Sequence, residues 1–147
     1  MKFQNPPEAE IRTLLLRVRT IAVVGLSPRP VRPSHRVGKA LQRFGYRVVP
    51  VRPAVDAVLG ERAYASLREL PAKPDLVDVF RAPEHVAAIV DECIALGLPV
   101  LWLQEGVIDE TAAARARAAG LFVVMDRCVF RDYVGLFGDT PLESLSR

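Results

Sequence analysis

The residues most suggestive of chemistry are 22–41, AVVGLSPRPVRPSHRVGKAL, where an apolar run stops at Gly25 and a turn leads into a helical pattern starting near Ser34. Strand–turn–helix junctions of this kind often hold phosphates. Glycine lets the backbone approach the ligand closely, and the helix start offers N–H donors and a positive dipole end. Of the usual glycine-rich fingerprint only Gly25 is present. Prolines and basic residues replace the rest, with Arg29, Arg32, Arg36 and Lys39 falling within eleven positions. The same composition suits a stiffened, solvated turn, so this loop alone leaves both readings open.

A second arginine position bears on the choice. Arg52, in VPVRPAV, ends the next apolar run. In sheets that bind NAD an acidic residue there accepts the ribose hydroxyls, whereas an arginine accommodates a phosphate on that ribose. With the first loop beside it, phosphate is the better reading, and the candidate ligands are NADP, with a 2′-phosphate, and coenzyme A (CoA), whose ADP unit carries a 3′-phosphate. The remaining reactive residues form no catalytic or metal-binding set. Asp75 and Asp78 flank or occupy one apolar run, and Asp78 is expected to be a hydrogen-bonded structural residue. Glu105, in LQEGV, is a lone acid, and His35 and His85 stand at helix starts. Cys93 and Cys128 lack metal-site spacing. Cys128, after the fifth apolar run, is expected to be a quiet, partly buried thiol rather than a disulfide partner of CoA.

These residues must be positioned by a repeating pattern of elements. The chain has 147 residues, half of them hydrophobic and 25% charged, which suits one domain over residues 1–147 with its own core. Short apolar runs at 20–25, 46–51, 76–80, 99–104 and 121–125 read as strands buried on both faces. Amphipathic stretches at 8–18, 34–45, 82–97 and 109–120 read as helices. Ser34 and Asp109 stand at N-cap positions, and Gly45, Gly97 and Gly120 at the ends. Residues 52–75 read as an irregular crossover with one helical turn at SLREL. The expected fold is α/β, a Rossmann-like doubly wound, mainly parallel five-stranded sheet with helices on both faces, whose ligands bind outside the carboxyl ends of the strands. The net charge of +3 is mild, and the basic residues form no long stripe interleaved with aromatics, which argues against nucleic acid. No apolar run approaches the ~18 residues of a membrane span. The N-terminal MKFQNPPEAEIRTLLLRVRT is broken by prolines and charges, so a cytoplasmic location is expected.

The segments IAVVGLSPRPVRPSHRVGKAL, GYRVVPVRP, VDVFRAPE, VLWLQEGV and VVMDRCV, in this order, resemble the stand-alone CoA-binding domain proteins. Their fold is similar to the N-terminal domain of the succinyl-CoA synthetase α subunit, and the resemblance covers about residues 10–130. It implies that the first loop and helix start, Gly25, Leu26, Ser27, Arg29, Pro30, Ser34 and Val37, meet the pyrophosphate and pantetheine of coenzyme A. It places Arg52 and Pro53 at the adenosine end, and Phe80, Arg81, Pro83, Gln104, Glu105 and Gly106 along the rest of the groove. Phe80 and Pro83 also suit plain packing and helix-start roles. The phosphorylated histidine and separate nucleotide-grasping region that the synthetase uses have no counterpart in this reading. The expectation is therefore a module that binds CoA or an acyl-CoA without catalysis. The alternatives are an NADP-dependent oxidoreductase and an accessory CoA-binding subunit of an acyl-CoA ligase.

Overall fold

The computed structural model describes residues 2–145. In chain order the elements are α1 (Glu8–Arg17), β1 (Thr20–Val24), α2 (Pro33–Phe44), β2 (Arg47–Val51), β3 (Ala57–Val58), β4 (Glu61–Arg62), β5 (Leu76–Val79), α3 (Val86–Leu96), β6 (Val100–Leu103), α4 (Glu110–Ala118), β7 (Phe122–Met125) and α5 (Val129–Phe137). The main sheet has the order β2-β1-β5-β6-β7, and every neighbouring pair is parallel. A parallel sheet needs cover on both faces, and alternate residues supply it. Ile21, Val23, Leu76, Trp102 and Val124 pack with α1, α2 and α5, while Ala22, Val77, Val79, Leu101 and Leu103 pack with α3 and α4. That is why β5 and β6 are buried at every position and read as unbroken apolar runs.

Register is what positions the site. Val24 lies opposite both Val51 and Val79, and Leu103 lies opposite Val79 and Met125. Gly25, Arg52, Phe80, Gln104 and Asp126 therefore leave the sheet at one level, along its carboxyl edge. The chain runs outward from β1 to β2 and then returns to β5 on β1's other side, so strand order reverses between β1 and β5. Gly25 and Phe80 mark that reversal, where open α/β sheets hold ligands.

Four features differ from the sequence-based expectation. Residues 129–137 form α5, a helix the sequence reading did not draw. It is fixed by tertiary stacking: the rings of Phe44 and Tyr133 lie 3.9 Å apart, and Phe130 stacks on Phe44 at 6.0 Å. Within the crossover, β3 and β4 form a small antiparallel hairpin turned by Leu59 and Gly60, both at positive φ, while the expected helical turn appears as a 3-10 turn at Leu67–Glu69. Ser34 does not cap α2. The helix starts at Pro33 with Arg32 in the cap position, and the Ser34 hydroxyl instead turns back to the preceding loop. Asp109 does cap α4, accepting the Ala112 N–H at 3.0 Å.

Asp78 is the fourth. It is fully buried between Val23 and Trp102, and neither carboxylate oxygen has a hydrogen-bond partner among the described residues. Burial pushes its carboxyl well above the usual carboxylate range, favouring the neutral acid. Asp75, by contrast, sits at the opposite edge of the sheet and accepts the N–H groups of Arg19 and Thr20, each at 2.9 Å. The two carboxylates do not form a pair.

Candidate functional site

The first loop is built around a close approach that only glycine permits. Gly25 has φ +87°, and a Cβ there would lie 2.3 Å from the Phe80 carbonyl oxygen. Its N–H donates to the Val51 carbonyl at 2.9 Å, and the Phe80 N–H donates to Val24 at 2.8 Å, so the end of β1 is clasped by both neighbours. Beyond Gly25 the loop winds back onto α2. The Ser27 N–H donates to the Ser34 hydroxyl at 2.9 Å, and the Arg29 N–H to the Ser27 hydroxyl at 3.1 Å. His35 Nδ1 donates to the Ser27 carbonyl at 2.9 Å, which fixes the proton on that nitrogen. His35 is thus committed to shaping the loop.

This loop offers an anion few backbone donors. Pro28, Pro30 and Pro33 carry no N–H, and the N–H groups of His35 and Arg36 are both taken by the Arg32 carbonyl. Positive charge must come from side chains. Arg29, Arg32 and Arg52 line a cavity of about 500 Å³ together with Gly25, Ser27, Pro33, Ser34, Phe80, Gln104, Glu105 and Val107. Arg52 is drawn over the loop by donating from Nη1 to the Gly25 carbonyl at 3.3 Å. Among the described residues, none of Arg29, Arg32, Arg36 and Arg52 lies within salt-bridge distance of a carboxylate, although five other arginines are so paired. Unpaired cations around a concavity suit a polyanion, because arginine forks match phosphate oxygens two at a time.

A second cavity, about 690 Å³, adjoins the first between α2 and α5. Arg36, Val37, Ala40 and Arg43 line it from α2, and Phe130 and Arg131 from α5, with Cys128 at the α5 N-cap. Pro33, Phe80, Gln104 and Glu105 line both cavities. At the junction, Glu105 is engaged by Arg131, whose Nη1 lies 2.5 Å from each carboxylate oxygen.

The sequence-nominated residues divide as follows. Gly25, Ser27, Arg29, Ser34, Arg52, Phe80, Gln104 and Glu105 converge on the arginine-ringed cavity, and Val37 lines the α2–α5 groove. Leu26 is fully buried in the core beneath the loop. Pro30, Pro53 and Pro83 are exposed and line neither cavity. Arg81 packs beside Gly25, its Cδ 3.0 Å from the position a Cβ there would take. Gly106, at φ +81°, donates its N–H to Asp126 Oδ1 at 2.8 Å and so ties two edge loops together. His85 is exposed in a 3-10 turn before α3, outside both cavities. Missed by the sequence reading were Val107 in the first cavity, and Ala40, Arg43, Phe130 and Arg131 in the second, while Cys128, expected to be a quiet thiol, lines the second. Arg32 and Arg36 belong to the basic cluster already noted. The α5 residues carried a usable signal in the spacing of Val129, Phe130, Tyr133, Val134 and Phe137.

Residues 19–133 match a family model described as a CoA binding domain. The chain is 44% identical over 127 residues to the uncharacterized protein YneT of Bacillus subtilis, covering 86% of this chain and 94% of that one. It is 34% identical over 76 residues to the α subunit of the ADP-forming acetate–CoA ligase II of Pyrococcus furiosus, covering 51% of this chain but 17% of that subunit. Among solved structures, a hypothetical protein from Pyrococcus horikoshii superposes with a TM-score of 0.87 at 36% identity, covering 94% of this chain and all of the other.

Proposed function

The chain belongs to the CoA-binding domain family, and from that premise we propose that it binds coenzyme A or an acyl-CoA across the two linked cavities, as a carrier, sensor or regulatory module without catalysis of its own. The observation that carries this reading is the set of arginines without a carboxylate among the described residues: Arg29, Arg32 and Arg52 around Gly25, where strand order reverses, and Arg36 in the adjoining groove. CoA is polyanionic at its nucleotide end and continues as a mostly uncharged, amide-bearing arm. In this reading Arg29 and Arg32 take the pyrophosphate, and Arg52 takes the 3′-phosphate at the end of β2. Ser27 and Ser34 hold the loop in shape, and Pro53 and Arg81 flank the nucleotide end. Phe80 and Gln104, at the junction, meet the arm as it turns into the more apolar groove beside Val37 and Phe130.

Calorimetric titration with CoA, acetyl-CoA, NADP and NAD in parallel tests the proposal. CoA is expected to bind at least about tenfold more tightly than NAD, because an arginine stands where an NAD site places an acid. Equal or tighter NAD binding overturns it, and NADP outcompeting CoA would favour the oxidoreductase reading. The similarity to an acetate–CoA ligase α subunit supports an accessory role as a second reading. Copurification of a second chain that forms acyl-CoA only in this protein's presence would establish it.

A further inference from the structure

Both cavities carry arginines, but what stands between the arginines differs. Around the first, Arg29, Arg32 and Arg52 share the lining with Ser27, Pro33 and Ser34. In the second, Arg36 and Arg43 line the α2 wall with Val37 and Ala40 between them, and Phe130 lines the α5 wall. Pro33 belongs to both cavities and so marks their junction. Arg43, ten residues further along α2, lies about 15 Å of helix away. The groove therefore leads from the junction along an apolar stretch to a cation at its far end.

The cations of this groove exceed what CoA itself can use. With the phosphates at Arg29, Arg32 and Arg52, only the uncharged, amide-bearing arm enters the groove, and it brings no counter-charge for a guanidinium. Arg131 is already held by the Glu105 carboxylate. Arg36 has no carboxylate within salt-bridge distance among the described residues. Arg43 has Asp139 at 3.8 Å, but the two side chains are 59% and 81% exposed, and Asp139 does not line the groove. So open a pair contributes little and leaves the guanidinium available to an incoming carboxylate. An apolar wall that ends in a cation fits a chain of methylenes that ends in an anion.

We propose that the α2–α5 groove selects acyl groups that end in a carboxylate, the half-thioesters of dicarboxylic acids with CoA, and that Arg43 holds the terminal carboxylate while Arg36 adds positive potential along the way. The inference rests on the reading that the protein binds CoA through its phosphates. An arm entering past Phe80 and Gln104 has its thiol end within the groove, so a group joined through sulfur continues along Val37, Ala40 and Phe130 toward Arg43. The methylenes of that group meet apolar surface. Its carboxylate meets a planar fork that can bind both oxygens together. An acyl group of the same length that ends in a methyl group sets an apolar atom against the guanidinium instead and gains nothing from its charge.

Calorimetric titration with CoA, valeryl-CoA and glutaryl-CoA tests the proposal, because the two acyl groups have the same number of carbons and differ only in a terminal methyl or carboxylate. Glutaryl-CoA should bind the parent at least about fivefold more tightly than valeryl-CoA at low salt, and the margin should shrink as salt is added. Arg43→Gln should bring the two ligands within about twofold of each other, and Arg36→Gln should narrow the margin in part. Arg17→Gln removes the same charge from the end of α1, outside both cavities, and should leave the margin as in the parent. The readout is a ratio of two ligands on one folded protein, so a change in overall CoA affinity does not imitate it. Valeryl-CoA binding as tightly as glutaryl-CoA overturns the inference and leaves the CoA reading standing, as does a margin that survives Arg43→Gln. Failure of the parent to bind any of the three ligands removes the CoA reading and this inference together.

Discussion

The two edges of the main sheet treat charge in opposite ways. At the amino edge Asp75 accepts the N–H groups of Arg19 and Thr20, and the Arg19 guanidinium donates to the carbonyls of Leu16, Arg17 and Val18. These two charges are spent on ending one element and starting the next. At the carboxyl edge Arg29, Arg32, Arg36 and Arg52 have no carboxylate among the described residues, and they stand around cavities of about 500 and 690 Å³. Clustering like charges without counter-ions works against folding. The contrast is that Asp75 and Arg19 at the amino edge are met by groups of the protein, whereas the four arginines at the carboxyl edge are met by no carboxylate among the described residues.

The largest expected effect breaks the carboxyl edge outright. In Gly25→Val a β-branched residue must adopt φ +87° with its Cβ 2.3 Å from the Phe80 carbonyl oxygen. Strand ends clasped on both sides cannot part without losing the Val51 and Val24 hydrogen bonds. Loss of about 3 kcal/mol or more of stability is expected, read from urea denaturation. A variant that folds like the parent would mean the loop is far more pliant than its bonding implies.

A matched pair of substitutions separates the edges. Arg52→Ala should leave stability nearly unchanged and weaken CoA binding by about 1.5–3 kcal/mol, the worth of a charged hydrogen bond. Affinity for dephospho-CoA should hardly change, because that ligand lacks the 3′-phosphate. Asp75→Ala should do the reverse, costing about 1–2 kcal/mol of stability with CoA affinity unaltered. If Arg52→Ala weakens both ligands equally, the residue contributes only general positive potential, and Arg29 or Arg81 becomes the candidate for the phosphate.

Between the edges lies Asp78, a buried carboxyl without a partner. Its folded value is raised above the unfolded one, so from about pH 4 upward the unfolded chain releases a proton that the folded protein retains. Stability is fully present below that pH and falls as pH rises toward the folded value, by up to about 1.4 kcal/mol per pH unit. Asp78→Asn cannot ionise and should flatten this slope, gaining on the parent with rising pH in denaturation midpoints from about pH 4 to 8. Parallel curves would show that Asp78 ionises freely in the native state.

How much of this was legible in the sequence follows from the range of the interactions involved. β1, β5 and β6 appear within a residue of their expected bounds because burial on both faces writes unbroken apolar runs. Gly25 and Arg52 were legible because the end of a strand is a special place in this architecture. Two elements were not. The β3–β4 hairpin has two-residue strands and a Leu59–Gly60 turn, without the Asn-Gly signature or enough length to alternate. In α5, aromatic residues and Gly135 give weak intrinsic helix preference, and the helix is held by Phe44 and Tyr46, distant in sequence. With α5 undrawn despite the apolar spacing of its residues, the α2–α5 groove was not foreseen. Asp78 failed for the converse reason: residue type implied a partner that the packing does not supply.

The smallest expected effect sharpens the comparison at the junction of the two cavities. Glu105 is the acid nominated by sequence as a ligand contact, yet its side chain is half exposed and held by Arg131, which is 69% exposed. Exposed ion pairs contribute about 0–1 kcal/mol, so Glu105→Gln should shift stability by no more than that. Its effect on binding has a definite sign. On the proposed CoA reading, a carboxylate lining the cavity opposes a polyanionic ligand, and Arg131 only partly cancels it. Glu105→Gln removes the negative charge and releases Arg131 to face the groove, while keeping an acceptor oxygen for any amide of the arm. CoA affinity should therefore rise by up to about threefold, and the gain should shrink as salt is added. A fall of about tenfold instead would mean that the carboxylate itself holds the ligand. The carboxyl edge would then use an anion as well as cations, and the simple opposition between the two edges would have to be redrawn at Glu105.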